Sequence, residues 1–180
     1  KTDTHWTTLG ALTYLSRFLK EEIDDNFSFD YWNNKTKVLE KLRTGDLGAK
    51  INFDDELIKE TTIDPTDNTN IKQLYGNNVR NNGAARVFQS TNYLYDKKIL
   101  FLHDSFGTWC FDFLPLLFSK VVTIHTPHFD VNFISSFKFD IVIFMQAERF
   151  LVKCPSNHKY YAELIAKTEQ QQLQKNTFYD

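Results

Sequence analysis

Apolar residues near the start of the chain recur at helical spacing. They are Leu9, Leu12, Leu15, Phe18 and Leu19. This repeat places them on one face of an α-helix, and Thr7 or Thr8 is available as the N-cap residue. The pattern therefore predicts a helix over Thr8–Glu22.

From Lys97 onward, the pattern alternates between short apolar runs and helical segments. The runs KKILFLH, SKVVTIHT and FDIVIFMQA have the length of buried strands. The helical segments are WCFDFLPLLF, which Pro115 interrupts, DVNFISSF, and residues 159–175. Because alternating strands and helices form parallel sheets with right-handed crossovers, we predict an α/β fold with helices covering the sheet.

Residues 24–96 lack this regularity. Asn, Asp, Thr and Gly recur throughout, as in TIDPTDNTNIK and GNNVRNNGAAR, and apolar residues are sparse. The region is therefore interpreted as a loop-rich insertion with room for short strands at ARVFQS and around KINF. The stretch DYWNNKTKVLEKL is a candidate for one short helix.

Composition narrows the class of protein. A chain of 180 residues with 42% hydrophobic residues suits one globular domain, 1–180, and no apolar run approaches the roughly 18 residues that span a bilayer. A net charge of −2, with acids and bases mixed, does not favour nucleic acid as a partner. The two cysteines, Cys110 and Cys154, allow at most one disulfide, and whether they pair stays open.

Three polar segments follow the three predicted strands: HDSFG, HTPH and QAERF. Ligands bind at the carboxyl ends of parallel strands, so these segments mark the expected site. Ser105 lies in the turn between a buried strand and a helix, where its hydroxyl is exposed and its own amide can stabilise an oxyanion. Gly107 permits close backbone approach. The alternative is that Asp104 or Ser105 only caps the helix.

The residues that could activate a serine lie at the other end of the chain. A serine nucleophile needs a base and a group that orients the base, and Asp3 and His5 can supply both. The alternative is a solvated Asp3 with His5 packed beside Trp6. His125 and His128 flank a Thr-Pro pair, but they have no evident third ligand, so we predict loop residues lining a cleft and no metal or cofactor.

Three segments together resemble the SGNH-hydrolase-like domain of the alginate O-acetyltransferase family, periplasmic proteins that acetylate exopolysaccharide. They are TDTHWTTLGA, ILFLHDSFGTWCFDFLPLLFSKVV and FDIVIFMQAERFL. That family has a DxHW motif ahead of a GDSF-like serine motif, followed by a strand ending in an ER pair. RTGDLGAKI also resembles a family segment. The resemblance implies an SGNH-hydrolase-like three-layer sandwich with a mainly parallel sheet flanked by helices.

The resemblance also implies an activity and its residues. Ser105 would be the nucleophile, His5 the general base and Asp3 its orienting acid, in an O-acetyltransferase that works through a serine acyl-enzyme. The acceptor would be a polysaccharide hydroxyl. A membrane-bound O-acyltransferase would relay the acetyl donor, and the location would be periplasmic.

The chain departs from the family pattern at the serine motif. His103 stands where the SGNH pattern has glycine, so a different backbone or an added polar contact is expected there. No clear counterpart of the oxyanion-hole Gly and Asn is present. Asn92 and Arg149 are the substitutes predicted to bind substrate. Alternatively, Asn92 is a turn residue, and Arg149 pairs with Glu148 as structural support for the edge of the pocket. Trp6 is the aromatic residue expected nearest the site.

Two other functions fit the same residues. A carbohydrate esterase would use water as the acceptor, and a polysaccharide-binding or assembly module would keep the fold without catalysis. The chain begins at its DxHW motif, whereas family members have a further strand ahead of it. We therefore expect a truncated product or an excised domain.

Overall fold

The computed structural model describes residues 5–43, 58–152 and 154–157. The chain divides into two compact units, Lys1–Asn68 and Thr69–Asp180. A two-stranded sheet lies in the first unit, and a five-stranded sheet lies in the second. Within the described ranges, no helix is long and apolar enough to cross a membrane.

The first unit begins with the predicted helix, α1 (Thr8–Glu22), whose bounds are confirmed. The Thr7 hydroxyl accepts a hydrogen bond from the Gly10 amide at 3.2 Å and so satisfies one of the free donors at the helix start. One face of α1 is buried and holds Thr8, Ala11, Leu12, Leu15, Ser16 and Leu19.

The described part of the first unit also contains a 3₁₀ turn and two antiparallel strands. The turn, Phe29–Asn34, buries Trp32, whose indole donates to the Ser16 hydroxyl at 2.8 Å. β1 (Thr36–Arg43) pairs with β2 (Ile58–Pro65) along their whole lengths. The helix predicted at DYWNNKTKVLEKL is therefore wrong beyond its first part, because β2 supplies strand hydrogen bonds from far along the sequence.

The second unit contains a five-stranded sheet. Its strands are β3 (Ile71–Gly76), β4 (Ala85–Ser90), β5 (Tyr95–His103), β6 (Phe118–His125) and β7 (Ile141–Met145). The order is β3-β4-β6-β5-β7. β5 is parallel to β6 and β7, whereas β4 is antiparallel to β3 and β6.

The α/β class is confirmed, but the prediction of a mainly parallel sheet is wrong. The strands β3 and β4 lie within residues 24–96, the predicted loop-rich insertion, and β4 pairs antiparallel with both β3 and β6. The strand at ARVFQS is confirmed as β4. The three-layer arrangement stays a prediction, and KINF and the helix over 159–175 lie outside the described residues.

Two short helices connect the parallel strands. α2 (Leu114–Leu117) carries Pro115 in its first turn, where a missing amide hydrogen breaks no helical bond. α3 (Val131–Ser136) is capped by Asp130, whose carboxylate accepts from the Phe133 amide at 3.0 Å. One apolar cluster joins α3 to the strands and contains Ala85, Val87, Leu100, Leu102, Val122, Ile124, Phe133 and Phe137.

Candidate active site

Ser105 lies in the turn that follows β5. β5 ends at His103, which is paired with His125 at the end of β6 and with Met145 at the end of β7. The Gly107 amide closes the turn by donating to the Asp104 carbonyl at 3.1 Å, and a 3₁₀ turn, Gly107–Cys110, follows. The structure thus brings the ends of the three predicted strands to one edge of the sheet, with Ser105 there.

Asp104 joins the serine turn to the segment after β7. Its carboxylate accepts from the Phe106 amide at 2.8 Å and from the Ala147 amide at 2.6 Å, and its own amide donates to the Met145 carbonyl at 3.2 Å. The residue is buried. The capping alternative therefore has a structural basis for Asp104, because its carboxylate accepts from an amide at the start of the turn.

Gly107 is required by close packing. A Cβ atom added at this position would lie 2.8 Å from Cγ of His103 and closer still to its Cβ. Any side chain at 107 would therefore push the turn away from the end of β5. The glycine in DSFG lets the turn lie directly against the His103 side chain.

His103 is buried under the turn and bound to it. Its Nδ1 donates to the Asp104 carbonyl at 2.6 Å, so Nδ1 carries the proton. The ring stacks on Phe101 and meets Phe111 edge-on, with centroids 5.0 Å and 4.8 Å away. Burial lowers the pKa of His103 to about 3. The hydrogen bond to the Asp104 carbonyl raises this pKa, whereas the charges of His125 and Arg86 lower it further.

A second histidine lies beside His103. The ring of His125, at the end of β6, stands perpendicular to the His103 ring with centroids 5.3 Å apart. Burial lowers the pKa of His125, while the Asp104 charge opposes the shift. In the part of the chain that the structure describes, both ring nitrogens of His125, Nε2 of His103 and the hydroxyl of Thr123 are buried without a hydrogen-bond partner.

Sequence reasoning did not identify His103 and His125 as a pair. The sequence does contain a pattern that indicates this pair, because the runs KKILFLH and SKVVTIH both end in histidine. Two neighbouring parallel strands that end in the same residue bring those residues together when the strands are in register. The register of β5 and β6 gives that pairing.

Arg149 reaches the serine turn through Phe106. It lies in a 3₁₀ turn, Glu148–Phe150, and its guanidinium stands over the Phe106 ring at 5.0 Å and over the Phe150 ring at 4.8 Å. The side chain is exposed. The predicted substrate-binding residue Arg149 is thus at the same edge of the sheet as Ser105.

Asn92 lies at the other end of β5. It is an exposed residue between β4 and β5, and its amide donates to the Ser90 hydroxyl at 3.3 Å. The 9 residues of β5 separate that loop from the serine turn. The structure therefore does not bring Asn92 to the edge where Ser105 lies.

The opening motif belongs to the first unit. His5 and Trp6 are half-buried just before α1, and the Trp6 ring packs on Tyr14 with centroids 5.2 Å apart. Asp3 lies outside the described residues. The triad of Ser105, His5 and Asp3 stays a prediction.

Neither a metal cluster nor a disulfide is present among the described residues. Among residues 5–43, 58–152 and 154–157, no group of three or more His, Cys, Asp or Glu side chains could hold a metal ion. The ring Nδ1 of His128 is within 3.1 Å of the Ser156 hydroxyl. Both cysteines are free, and burial raises the pKa of the Cys110 thiol to about 12.

No protein-family model matches the chain, and no curated protein matches it significantly. Several solved structures do match the chain significantly. PatB1 of Bacillus cereus matches with a TM-score of 0.55 at 16% identity over 83% of this chain and 62% of that protein. The same protein with a sulfonyl adduct matches with a TM-score of 0.60 at 16% identity, over 83% of this chain and 60% of that protein.

A third structure is a DHHW family protein from Eubacterium siraeum. It matches with a TM-score of 0.63 at 17% identity, over 88% of this chain and 64% of that protein. The chain thus spans 60–64% of the length of these solved structures. At this identity the likeness shows a shared fold.

Proposed function

We propose that the chain is a serine-dependent O-acetyltransferase that moves an acetyl group through Ser105 onto a polysaccharide hydroxyl. The observation that carries the proposal is the serine turn. Ser105 follows a buried parallel strand at the edge where ligands bind in such sheets. The Phe106 amide, next to Ser105, and the Ala147 amide, just after β7, both donate to the Asp104 carboxylate, which gives the turn a defined shape.

Likeness to solved structures supports the proposal at the level of the fold. One of the matched structures carries a sulfonyl adduct, and sulfonyl groups attach to nucleophilic side chains. Another belongs to a family called DHHW, and residues 3–6 of this chain read DTHW. The chain therefore shares a fold with these proteins and has a closely similar four-residue stretch at its start.

The proposed reaction has two steps. His5 takes the proton from the Ser105 hydroxyl as Oγ bonds to the carbonyl carbon of the acetyl donor, and the donor leaves with that proton. A sugar hydroxyl then attacks the acetyl-serine and gives its proton to His5, which returns it to Oγ of Ser105. Asp3 holds the His5 ring in the tautomer that this exchange needs.

The proposed partners and location are those that the family resemblance implies. The acceptor is a polysaccharide, a membrane-bound O-acyltransferase relays the acetyl donor, and this chain works in the periplasm. Arg149 and Trp6 are the proposed substrate-binding residues, the first beside the serine turn and the second beside His5. Asn92 has no part in this proposal because it lies at the other end of β5.

A fluorophosphonate probe tests the nucleophile. We expect the folded protein to be labelled on Ser105 and Ser105→Ala to lose the label. Ser136→Ala is the matched control, since Ser136 is an exposed serine on α3 that donates to its own helix at 2.7 Å. An unlabelled folded protein would favour the binding-module alternative, and a fully active Ser105→Ala variant would exclude this serine.

A second assay separates transfer from hydrolysis. The protein is given an acetyl ester with and without an oligosaccharide acceptor, and acetylated sugar and free acetate are measured. The proposal expects acetylated sugar to form at the expense of acetate when acceptor is present. Release of acetate alone, unchanged by acceptor, would identify the protein as an esterase.

A further inference from the structure

His103 fixes the peptide bond that leads into Ser105. The Asp104 carbonyl accepts two hydrogen bonds, from Nδ1 of His103 at 2.6 Å and from the Gly107 amide at 3.1 Å. A carbonyl oxygen has two lone pairs, so both are used. Because the His103 ring is buried and held between aromatic rings, its Nδ1–H is a fixed donor and the carbonyl is fixed with it.

The position of this carbonyl determines where the Ser105 amide points. Within residues 5–43, 58–152 and 154–157 there is no cis peptide bond, so the bond between Asp104 and Ser105 is trans. In a planar trans peptide the carbonyl and the N–H point in opposite directions. The Asp104 carbonyl points toward the His103 ring, and the Ser105 N–H therefore points away from it.

We propose that His103 is a positioning residue that aims the Ser105 amide as an oxyanion-hole donor. The inference rests on the proposed function, which makes Ser105 the nucleophile. In acyl transfer, the amide of the nucleophilic residue binds the negative oxygen of the tetrahedral intermediate, and its contribution depends on direction. A histidine in place of the usual glycine thus supports the oxyanion hole in this chain.

An imidazole suits this position in three ways. Its Nδ1 is close enough to bond the next carbonyl along the chain, and its flat ring fits against Gly107, which has no side chain. Its charge state is also constant. The groups that face it are Asp104, His125 and Arg86, and the low pKa of His103 keeps the ring neutral throughout the range in which most enzymes work.

Two substitutions separate the donor from the bulk of the ring. His103→Phe keeps a ring of similar size and removes the Nδ1 donor, whereas His103→Asn keeps a donor at nearly the same position and removes the ring. We expect His103→Phe to lower kcat about 10–100-fold with KM little changed, because an aimed amide acts on the transition state. We expect His103→Asn to recover most of that loss.

His125→Phe is the matched control. His125 is the adjacent histidine at the same edge, but its ring has no hydrogen bond to the turn in the described part of the chain. A general effect of altered packing would lower kcat similarly in His125→Phe and His103→Phe. Equal losses in these two variants, or no recovery in His103→Asn, would overturn the inference.

Nitrogen-15 NMR of the histidine rings provides a test that needs no activity. The inference requires the Nδ1–H tautomer of His103 and a Ser105 amide resonance that shifts in His103→Phe and returns toward the wild-type position in His103→Asn. An Nε2–H tautomer would overturn it. The two proposals can fail separately. If Ser105 were unreactive to fluorophosphonate, the proposed function would fail. With the Nδ1–H tautomer present, the Ser105 amide shifts would still decide whether His103 positions the turn.

Discussion

Two buried polar regions lie next to each other at the edge of the five-stranded sheet, and they differ in how their polar atoms are satisfied. In the serine turn, Asp104 has partners for its amide, its carbonyl and both carboxylate oxygens. In the layer beneath it, Nε2 of His103, both ring nitrogens of His125 and the Thr123 hydroxyl have none among the residues described. We call these regions the bonded turn and the imidazole layer.

The comparison assigns different physical roles to the two regions. A polar group that has all its partners holds its neighbours in one geometry, and its removal leaves those neighbours unsatisfied. A buried polar group without a partner contributes packing but has lost its hydration. Substitutions in the bonded turn should therefore destabilise the protein strongly, whereas suitable substitutions in the imidazole layer should cost little or stabilise it.

Loss of the Asp104 carboxylate should have the largest effect. Asp104→Ala leaves the Phe106 and Ala147 amides without an acceptor, and two charge-assisted hydrogen bonds correspond to about 3–5 kcal/mol in the free energy of unfolding. Asp140→Ala is the matched control, because Asp140 is exposed and holds one amide, that of Lys98, at 2.7 Å. Urea denaturation that gave the two variants equal losses would contradict the role assigned to the bonded turn.

The pH dependence of stability should follow from the imidazole layer. Burial lowers the pKa of His103 from 6.5 to about 3, so between these pH values the unfolded chain binds a proton that the folded protein does not. The free energy of unfolding therefore rises with pH across that window, by up to ~1.4 kcal/mol per pH unit from this residue, and the contribution is constant above it.

His103→Phe isolates this contribution. Denaturation at pH 4.5, 5.5 and 6.5 should give a shallower rise for the variant than for wild type, with a residual slope because the pKa of His125 is also lowered. Parallel curves for the two proteins would show that His103 accepts protons normally in the fold. That result would contradict the burial assigned to it.

Gly107→Ala should have an intermediate effect. The added methyl group overlaps the His103 side chain, and such overpacking typically costs about 1–3 kcal/mol. Gly10→Ala is the control in α1, where a Cβ meets Cβ of Trp6 at 3.2 Å and alanine has the higher helix propensity. Thermal unfolding should show a clear loss in Gly107→Ala and a much smaller change in Gly10→Ala. A neutral Gly107→Ala would mean that the turn does not lie against His103.

Thr123→Val should have the smallest effect and can be favourable. Valine has nearly the shape of threonine, and the hydroxyl that it removes is buried without a partner in the described part of the chain, so we expect a change between zero and about 1 kcal/mol of stabilisation. Ser16→Ala is the opposite case, since that hydroxyl accepts from the Trp32 indole and donates to the Leu12 carbonyl. Ser16→Ala should destabilise, and equal effects of both substitutions would contradict the distinction.

The parts of the fold that follow local patterns were predictable from the sequence. The apolar repeat and Thr7 gave the correct bounds of α1, and the apolar runs located β5, β6 and β7. The antiparallel strands β3 and β4 are less evident, since their stability depends on pairing with residues that no local window contains. The mixed sheet follows from that pairing.

The candidate site was predictable to a similar extent. The position of Ser105 between a strand and a turn followed from the motif, and Arg149 was expected at the same edge. The contribution of His103 was not predictable, because it depends on a bond to the Asp104 carbonyl and on the absence of a side chain at Gly107. The sequence showed only that His103 stands where the SGNH pattern that it resembles has glycine.

The most direct test of the account is to trap the acetyl-enzyme. The protein is mixed with an acetyl ester, quenched in acid, digested and analysed by tandem mass spectrometry, with Ser105→Ala and His5→Ala treated in parallel. The account predicts one acetyl group on Ser105 in the wild-type protein, none at that position in Ser105→Ala, and much slower acetylation in His5→Ala. Acetylation of Ser105 at the same rate without His5, or no acetyl group on Ser105 at all, would contradict it.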